Sequence, residues 1–432
     1  MVVPNQKIPT SFYEDLESRG LVYSATDGLR EAFAKEKITA YIGFDPTAPT
    51  LHVGNLLTIM GLLRLQQYGH FPIAVAGGGT GLIGDPSGKA TERPLLSKDE
   101  VLFNIEGVKR QLQHFLDFES KTNPARMVNN ADWLTTTPVT DFLRDIGKHF
   151  SVNALVAKES VKRRLEQEGI SYTEMSYILL QSYDYLTLFE RYNCTLQMGG
   201  SDQWGNITAG VDLIRRVHAK TAHALVWPLL TTSSGAKMGK SVGGAVWLDP
   251  QRTSPYRFYQ YLYNTDDSDV VAHLKSLTLL SSERVQELQF STQNQPEKRE
   301  AQRELARDVT RRVHGEDALR RAERASGVLF GEAIEGLGLQ DVMEIFSEAP
   351  SAEVSKSDFA QGSMSLVDML ARSGLAKSKG EARRLIEGGG IYLQNVRVSE
   401  AKRNVSFDDA IQGQAFVLRK GQKEYRLVKL VG

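Results

Sequence analysis

An α/β architecture is predicted for the first part of this 432-residue chain, with a helical stretch and a small α+β module behind it. Three observations carry the prediction. Residues 37–79 read apolar run, amphipathic run, apolar run; Pro250 and Pro255 then introduce charge-dense helical patterns; residues 363–432 read as two helices followed by strand-like segments.

The elements follow in order. Ile38 to Phe44 is rich in strand-forming side chains, and a Pro49-Thr50 turn follows it. From Leu51 to Tyr68, Val53, Leu56, Leu57, Met60 and Leu63 recur at helical spacing. Phe71 to Ala76 is a short apolar strand stopped by Gly77-Gly78-Gly79. Strand, helix, strand in that order is a βαβ unit, which implies a parallel sheet with a right-handed crossover. Further helices are expected at 99–118, 139–147, 153–167 and 172–191. The last is apolar around most of its circumference, so it should be buried. Leu225 to Thr231 reads as another strand, leading into a Ser/Gly/Lys loop. Glu297 to Val313 has the charge spacing of an exposed helix. The polar stretch SEAPSAEVSKSDFAQG reads as a linker. Helices at Ser365 to Arg372 and Ser378 to Glu387 then give way to strand-like IYLQNVRV and AFVLRKGQKEYRLVKL. The expected division is therefore 1–250 (α/β), 251–346 (helical), 347–362 (linker) and 363–432 (a small module).

Composition excludes several classes. One cysteine, Cys194, permits neither an internal disulfide nor a cysteine-based zinc site. No apolar run reaches the roughly 18 residues of a membrane span, and the N-terminus has no signal-peptide character. These features fit a cytoplasmic protein. Basic and acidic residues balance at 52 each, but residues 361–432 carry 13 Lys/Arg against 7 Asp/Glu. A basic tail on an acidic body suits an anionic partner.

Gly79-Thr80-Gly81-Leu82-Ile83-Gly84 matches a dinucleotide fingerprint, but Asp85-Pro86-Ser87-Gly88 follows at once and would stop the helix that fingerprint needs. A Gly-rich turn with Asp85 at its tip as a ligand-binding carboxylate is the better reading. Two other stretches point to phosphate. His52-Val53-Gly54-Asn55 opens a helix, whose start presents unpaired N–H groups. Lys237-Met238-Gly239-Lys240-Ser241 places two ammonium groups in a mobile Gly/Ser loop. Together they resemble an ATP site for adenylyl transfer. Tyr177, Gln181 and Asp184 fall on one face of the 172–191 helix, and an acid on so apolar a helix is costly to bury without a partner.

At these residues, with Tyr41 to Thr47, Leu51 to Asn55, Gly81 to Lys89 and Gln197 to Asn206, the chain resembles bacterial-type tyrosyl-tRNA synthetases, class I enzymes, over essentially its whole length. The resemblance implies a Rossmann-like nucleotide-binding catalytic domain, then a helical anticodon-side domain and an RNA-binding module resembling ribosomal protein S-four. It implies ATP as substrate, Mg2+ carried on the ATP phosphates with no protein-bound metal, L-tyrosine and tRNA(Tyr) as partners, and a homodimer.

It also implies roles. His52, Lys237, Lys240, Thr47, Lys89 and Arg93 would stabilise charge on the reacting phosphates. Gly43, Asp45, Gly54, Asn55, Thr58, Gly200 and Asp202 would line the nucleotide site, Gly54 letting adenine or ribose lie against the backbone. Tyr41 and Asp184 would bind the phenolic hydroxyl; Asp85, Tyr177 and Gln181 the ammonium; Gln203 the carboxylate or ribose. Asn55 stands where the signature has a second histidine, and Gly239 where it has serine. Lys377, Lys379, Arg383, Arg384, Lys402 and Arg403 would meet RNA, with Arg419, Lys420 and a second run, Lys158 to Arg164, as further candidates. A tryptophan-specific relative and an RNA-binding protein that has kept the fold without the activity remain rivals at this point.

Overall fold

The computed structural model describes residues 10–432 apart from 86–95, 159–160, 163–164, 167–168, 234, 236–237, 242–243, 329–330, 335, 348, 360–361 and 422–423, and apart from the side chains of Lys240 and Ser241. The chain forms two compact units, Met1–Thr253 with Tyr261–Val313, and Ser254–Gln260 with His314–Gly432.

The first unit is built on a six-stranded sheet of β1 (Ser24–Ala25), β2 (Thr39–Phe44), β3 (Phe71–Ala76), β4 (Arg126–Asn129), β5 (Cys194–Gly200) and β6 (His223–Trp227). The spatial order is β1-β6-β5-β2-β3-β4. All neighbours are parallel except β1, which runs against β6. The chain steps from β2 outward to β3 and β4, then returns to the other side of β2 as β5. A reversal of this kind opens a crevice beyond the carboxyl ends of the strands where it occurs, here β2 and β5.

Helix α1 (Leu56–Gln67) joins β2 to β3, as the periodicity implies, but it is entered through a single 3-10 turn, Val53–Asn55, with His52 as its cap. Thr80–Leu82 is likewise one 3-10 turn, followed by Gly84 at φ 88, so no helix starts inside the Gly-rich motif. Helix α2 (Tyr172–Tyr192) is buried over most of its length and ends at Asn193, in the left-handed region. It packs with α3 (Trp204–His218) under the sheet. The core there includes Tyr41, Ile73, Val75, Trp133, Tyr185 and Leu213. Strands β4 and β5 escape sequence reading because RMVN is short and CTLQMGG ends in a turn-like Gly pair. The last strand lies at His223–Trp227, two residues earlier than expected.

The expected helical domain does not stand apart. Residues 261–313 belong to the catalytic unit, and Arg64 on α1 shows why: its guanidinium is buried and donates to the carbonyls of Lys275, Ser276 and Thr278. Arg19 reaches the carbonyls of Lys275, Thr278 and Leu280. The two cations satisfy the carbonyl end of helix Asp267–Leu277, which no intrahelical donor can reach.

In the second unit, a five-stranded sheet runs Val396–Val398, Ile391–Leu393, Ala415–Lys420, Glu424–Val431, Ser351–Ser355. The last strand corrects the linker reading of 347–362. It pairs in parallel with Glu424–Val431, Leu427 opposite Ser351, and buries Val354 as its one apolar contribution to the core. A single inward apolar residue leaves too little pattern to see. Helices Leu366–Arg372 and Lys379–Glu387 cover the sheet through Leu366, Leu370 and Ile386.

Among the described residues no helix is long and apolar enough to cross a membrane.

Candidate active site

A cleft of about 550 Å³ lies at the carboxyl ends of β2, β3 and β5, a size suited to a small-molecule site. Tyr41, Gly43, Asp45, Thr47, His52, Gly54, Asn55, Thr58, Asp85, Tyr177, Gln181, Asp184, Gly200, Asp202 and Gln203 all line it. These residues come from five separate segments of the chain. Lys89, Arg93 and Lys237 lie outside the described residues, as does the side chain of Lys240.

At the deep end, Asp184 is buried and both its oxygens accept hydrogen bonds, Oδ1 from Trp133 Nε1 at 2.7 Å and Oδ2 from Asn130 Nδ2 at 2.9 Å. Burial pushes its carboxyl up to about 7, against the pull of those two donors, and the nearby Asp45 adds to the rise. Beside it stands Tyr41, whose buried hydroxyl has no partner among the described residues. Burial, and then the charge of Asp184, hold that phenol well above its usual range. An unpaired buried hydroxyl next to an acceptor is an arrangement that calls for a ligand. Gln197, also buried and lining the cleft, leaves its Oε1 without a partner among the described residues.

Further out, carboxylates and amides form a chain. Tyr177 Oη donates to Asp45 Oδ2 at 2.8 Å, and Thr80 Oγ1 donates to Asp45 Oδ1 at 2.8 Å. Asn130 Nδ2 also donates to Thr80 Oγ1 at 2.9 Å, linking this group to Asp184. Gln203 Nε2 donates to Asp85 Oδ2 at 2.8 Å, and Asn206 Nδ2 donates to Gln181 Oε1 at 3.1 Å. Burial and Asp45 keep the Tyr177 phenol protonated. The described lining therefore carries four carboxylates, Asp45, Asp85, Asp184 and Asp202, and no lysine or arginine. It suits an ammonium group.

The other end is made of backbone. His52 caps the 3-10 turn: its Nδ1 accepts from Gly54 N at 3.0 Å, while Asn55 Oδ1 accepts from His52 N at 3.1 Å. Asn55 thus completes a capping box in the place where the family signature has histidine. Gly54 is constrained by the protein itself. A Cβ there would lie 2.7 Å from the His52 ring and 3.2 Å from the Met238 carbonyl oxygen. Gly239, at φ 95, would put a Cβ 2.7 Å from Gly54 N. Glycine at 239 is what allows the loop backbone to seat on the His52 turn. Thr58 Oγ1 donates to the Asn55 carbonyl at 2.6 Å.

Asn130, Trp133, Thr80 and Gln197 escaped sequence reading. Asn129 and Asn130 lie at the end of β4 and just beyond it, so the missed strand hid the turn that carries them.

The basic candidates divide. Lys379 pairs with Asp368 at 2.7 Å and Arg403 with Asp409 at 3.4 Å. Lys377, Arg383, Arg384 and Lys402 are exposed, with no ion pair among the described residues. Arg419 is buried against the Tyr392 ring, 3.8 Å from its centroid, so it packs rather than projects. Lys420 lies 3.5 Å from Glu381. Lys158 donates to the Gly205 carbonyl at 3.0 Å and Lys162 reaches Glu166 at 4.0 Å; Arg163 and Arg164 lie outside the described residues.

The comparisons with known proteins agree with this geometry. A family model described as tRNA synthetases class I (W and Y) matches residues 34–331, and a tyrosine--tRNA ligase SYY-like C-terminal domain matches 341–428. Fold and site together define a class I aminoacyl-tRNA synthetase of the tryptophan and tyrosine type. The chain is 54% identical to the tyrosine--tRNA ligase of Roseiflexus castenholzii over 423 residues, 98% of this chain and 100% of that protein. It is 50% identical to tyrosine--tRNA ligase 1 of Bacillus subtilis, over 97% and 99% of the two chains. A C-terminally truncated mitochondrial tyrosyl-tRNA synthetase from Aspergillus nidulans superposes with a TM-score of 0.67 at 29% identity, over 74% of this chain and 95% of that one. The chain belongs to the tyrosine–tRNA ligase family.

Proposed function

We infer that this chain activates L-tyrosine with ATP and transfers it to tRNA(Tyr), using the cleft just described. A tyrosine carboxylate oxygen attacks the α-phosphorus of ATP; an O–P bond forms, the bond to the β-phosphate oxygen breaks, and pyrophosphate leaves. A ribose hydroxyl of the tRNA 3'-terminal adenosine then attacks the acyl carbon and expels AMP, its proton passing to the leaving phosphate or to solvent. The attacking carboxylate is already ionised, so the first step needs no general base, and His52 is assigned to charge stabilisation.

The observation that carries the tyrosine assignment is the unpaired Tyr41 hydroxyl beside the doubly hydrogen-bonded Asp184. With Trp133 and Asn130 already donating to it, Asp184 is held as an acceptor and can take a phenolic proton donor. Phenylalanine would leave the Tyr41 hydroxyl without a partner and bring Asp184 no donor beyond Trp133 and Asn130. Tyrosyl-tRNA synthetases are themselves the standard illustration of a site that rejects an analogue lacking a hydroxyl, by about 10⁴–10⁵-fold without editing. The indole N–H of tryptophan is a rival donor, but it offers no acceptor for Tyr41.

Asp85, Gln181 and Tyr177 are proposed for the ammonium, Gln203 for the carboxylate or ribose, and Asp202 for the ribose hydroxyls. Lys89, Arg93, Lys237 and Lys240 are proposed to neutralise the triphosphate, since the described lining is acidic. Magnesium would enter on the ATP phosphates and offset charge on the departing pyrophosphate. Among the described residues no group of three His, Cys, Asp or Glu could hold a metal. Lys377, Arg383, Arg384 and Lys402 are proposed as the RNA contacts of the second unit. A homodimer is proposed because Val139, Leu143, Val152 and Tyr172 are large apolar side chains left exposed in the catalytic unit. The proposed setting is the cytoplasm.

Amino-acid-dependent ATP–pyrophosphate exchange tests the reading. Tyrosine should drive exchange and tryptophan should not; exchange driven by tryptophan, or RNA binding with no exchange at all, would replace it.

A further inference from the structure

Among the described residues, the backbone that follows Lys237 is tied to the His52 turn at several points. Met238 N donates to the Leu230 carbonyl at 3.0 Å, and Val246 N donates to the Gly239 carbonyl at 3.0 Å. Val53 N in turn donates to the Val246 carbonyl at 2.9 Å, and Leu248 N to the Leu51 carbonyl at 2.9 Å. His52 and Trp247 face each other as an antiparallel bridge. Residues 246–248 therefore form a short ladder with 51–53, and the loop ahead of them ends on the Gly54 backbone. Met238 is buried there.

Two side chains from beyond residue 260 complete the seating. Gly239 N donates to Tyr261 Oη at 2.9 Å, and Ser233 N donates to Asp269 Oδ2 at 3.0 Å. One holds the loop at Gly239 and the other at Ser233. Neither residue lines the cleft. The Tyr261 hydroxyl is the one described side-chain partner of the Gly239 amide, and that amide sits directly before Lys240.

We propose that Tyr261 is a positioning residue for adenylate formation: its hydroxyl holds the Gly239 amide on the His52–Gly54 turn and so fixes the place from which Lys240 reaches the ATP phosphates. The inference rests on the ATP-dependent reading above. Without the hydroxyl the Gly239 amide faces protein without an acceptor whenever the loop is seated. An unsatisfied amide of this kind weakens the seated state by about 5- to 30-fold, an effect carried by ATP and not by tyrosine. Asp269 acts on the same loop from its other end.

The test is Tyr261→Phe in the full chain, which removes one oxygen and keeps the ring. In tyrosine-dependent pyrophosphate exchange, kcat/KM for ATP should fall about 5- to 30-fold while KM for tyrosine stays as in the wild type. Transfer of tyrosine from preformed enzyme-bound adenylate to tRNA should keep its rate. Amide hydrogen exchange supplies a readout independent of activity: peptides covering 238–248 should exchange faster in Tyr261→Phe, and those covering α2 should not. Gly239→Ala, which pushes a Cβ into the Gly54 amide, should reproduce the ATP-selective loss. An active wild type with Tyr261→Phe unchanged in ATP kinetics and in 238–248 exchange would overturn this inference alone. Equal losses for ATP and tyrosine would overturn it too, by showing a general structural role. A wild type without tyrosine-dependent exchange would overturn the functional reading, and the amide-exchange result would still decide whether Tyr261 seats the loop.

Discussion

The two ends of the cleft are built on opposite plans. At the deep end, the proposed specificity rests on side chains held by regular structure: Tyr41 on β2, Asp184 on α2, and Asn130 and Trp133 just after β4. Asp184 has two fixed donors there, and the Tyr41 hydroxyl is left open in a way a phenolic oxygen would satisfy. At the phosphate end, the fixed parts are backbone, namely the His52–Asn55 turn and the glycines that let the loop close on it. The cations proposed for it are Lys89, Arg93, Lys237 and Lys240, whose side chains lie outside the described residues. Recognition of a hydroxyl needs acceptors preorganised to a fraction of an ångström, and buried elements supply that. Stabilising a charge that forms and departs needs groups that can approach and withdraw.

Four outcomes would break or sharpen this contrast. The largest should come from Lys240→Ala, with a loss of about 10²–10³-fold in kcat for exchange and an unchanged KM for tyrosine. A tyrosine KM that rises with it would mean the two ends are not separate. Next, Asn130→Ala removes one of the two donors holding Asp184. Stopped-flow or equilibrium binding should show tyrosine affinity about 10-fold weaker, with ATP binding unaffected.

The third outcome concerns pH. Asp184 must be ionised to accept the phenolic proton donor, and burial pushes its carboxyl up to about 7. Tyrosine affinity should therefore improve about 10-fold from about pH 6 to about pH 8, and Asp184→Asn should flatten the profile. Stability runs the other way. The folded chain keeps a proton that the unfolded chain releases above its ordinary value of 3.8, so the stability contributed by neutral Asp184 is lost as pH rises toward about 7. Asp184→Asn should raise Tm more at about pH 8 than at about pH 5. The smallest effect belongs to the second unit. Arg383→Ala with Arg384→Ala should weaken tRNA binding about three- to ten-fold and make its salt dependence shallower by about two units of slope, leaving exchange intact.

Much of this could be read from the chain because its signals are local. The βαβ unit around α1 shows in periodicity, and Asp184 stands out as an acid on an apolar helix. Asn130 and Trp133 could not be found that way, since their meaning depends on β4 placing them beside α2, and four residues of RMVN carry too little pattern to announce a strand. The close approach at Gly239 could not be found either, because sequence gives residue type without φ, and only the position of Gly54 shows that glycine there permits contact. The same limit hid the strand at Ser351–Ser355, whose single buried Val354 looks like a linker residue until its partner strand is seen. The boundary near residue 251 misled for another reason. A charged helical pattern says that a helix is exposed on one side, not which neighbour covers the other, and Arg64 reaching Lys275, Ser276 and Thr278 settles that for residues 261–313.

The central claim is that Asp184, oriented by Trp133 and Asn130, selects the amino acid through its para hydroxyl. A binding cycle tests it most directly: tyrosine and phenylalanine, each with wild type and with Asp184→Asn. The account predicts strong preference for tyrosine in the wild type and a collapse of that preference in the variant, through weaker tyrosine binding. A variant that still prefers tyrosine as strongly as the wild type would contradict it.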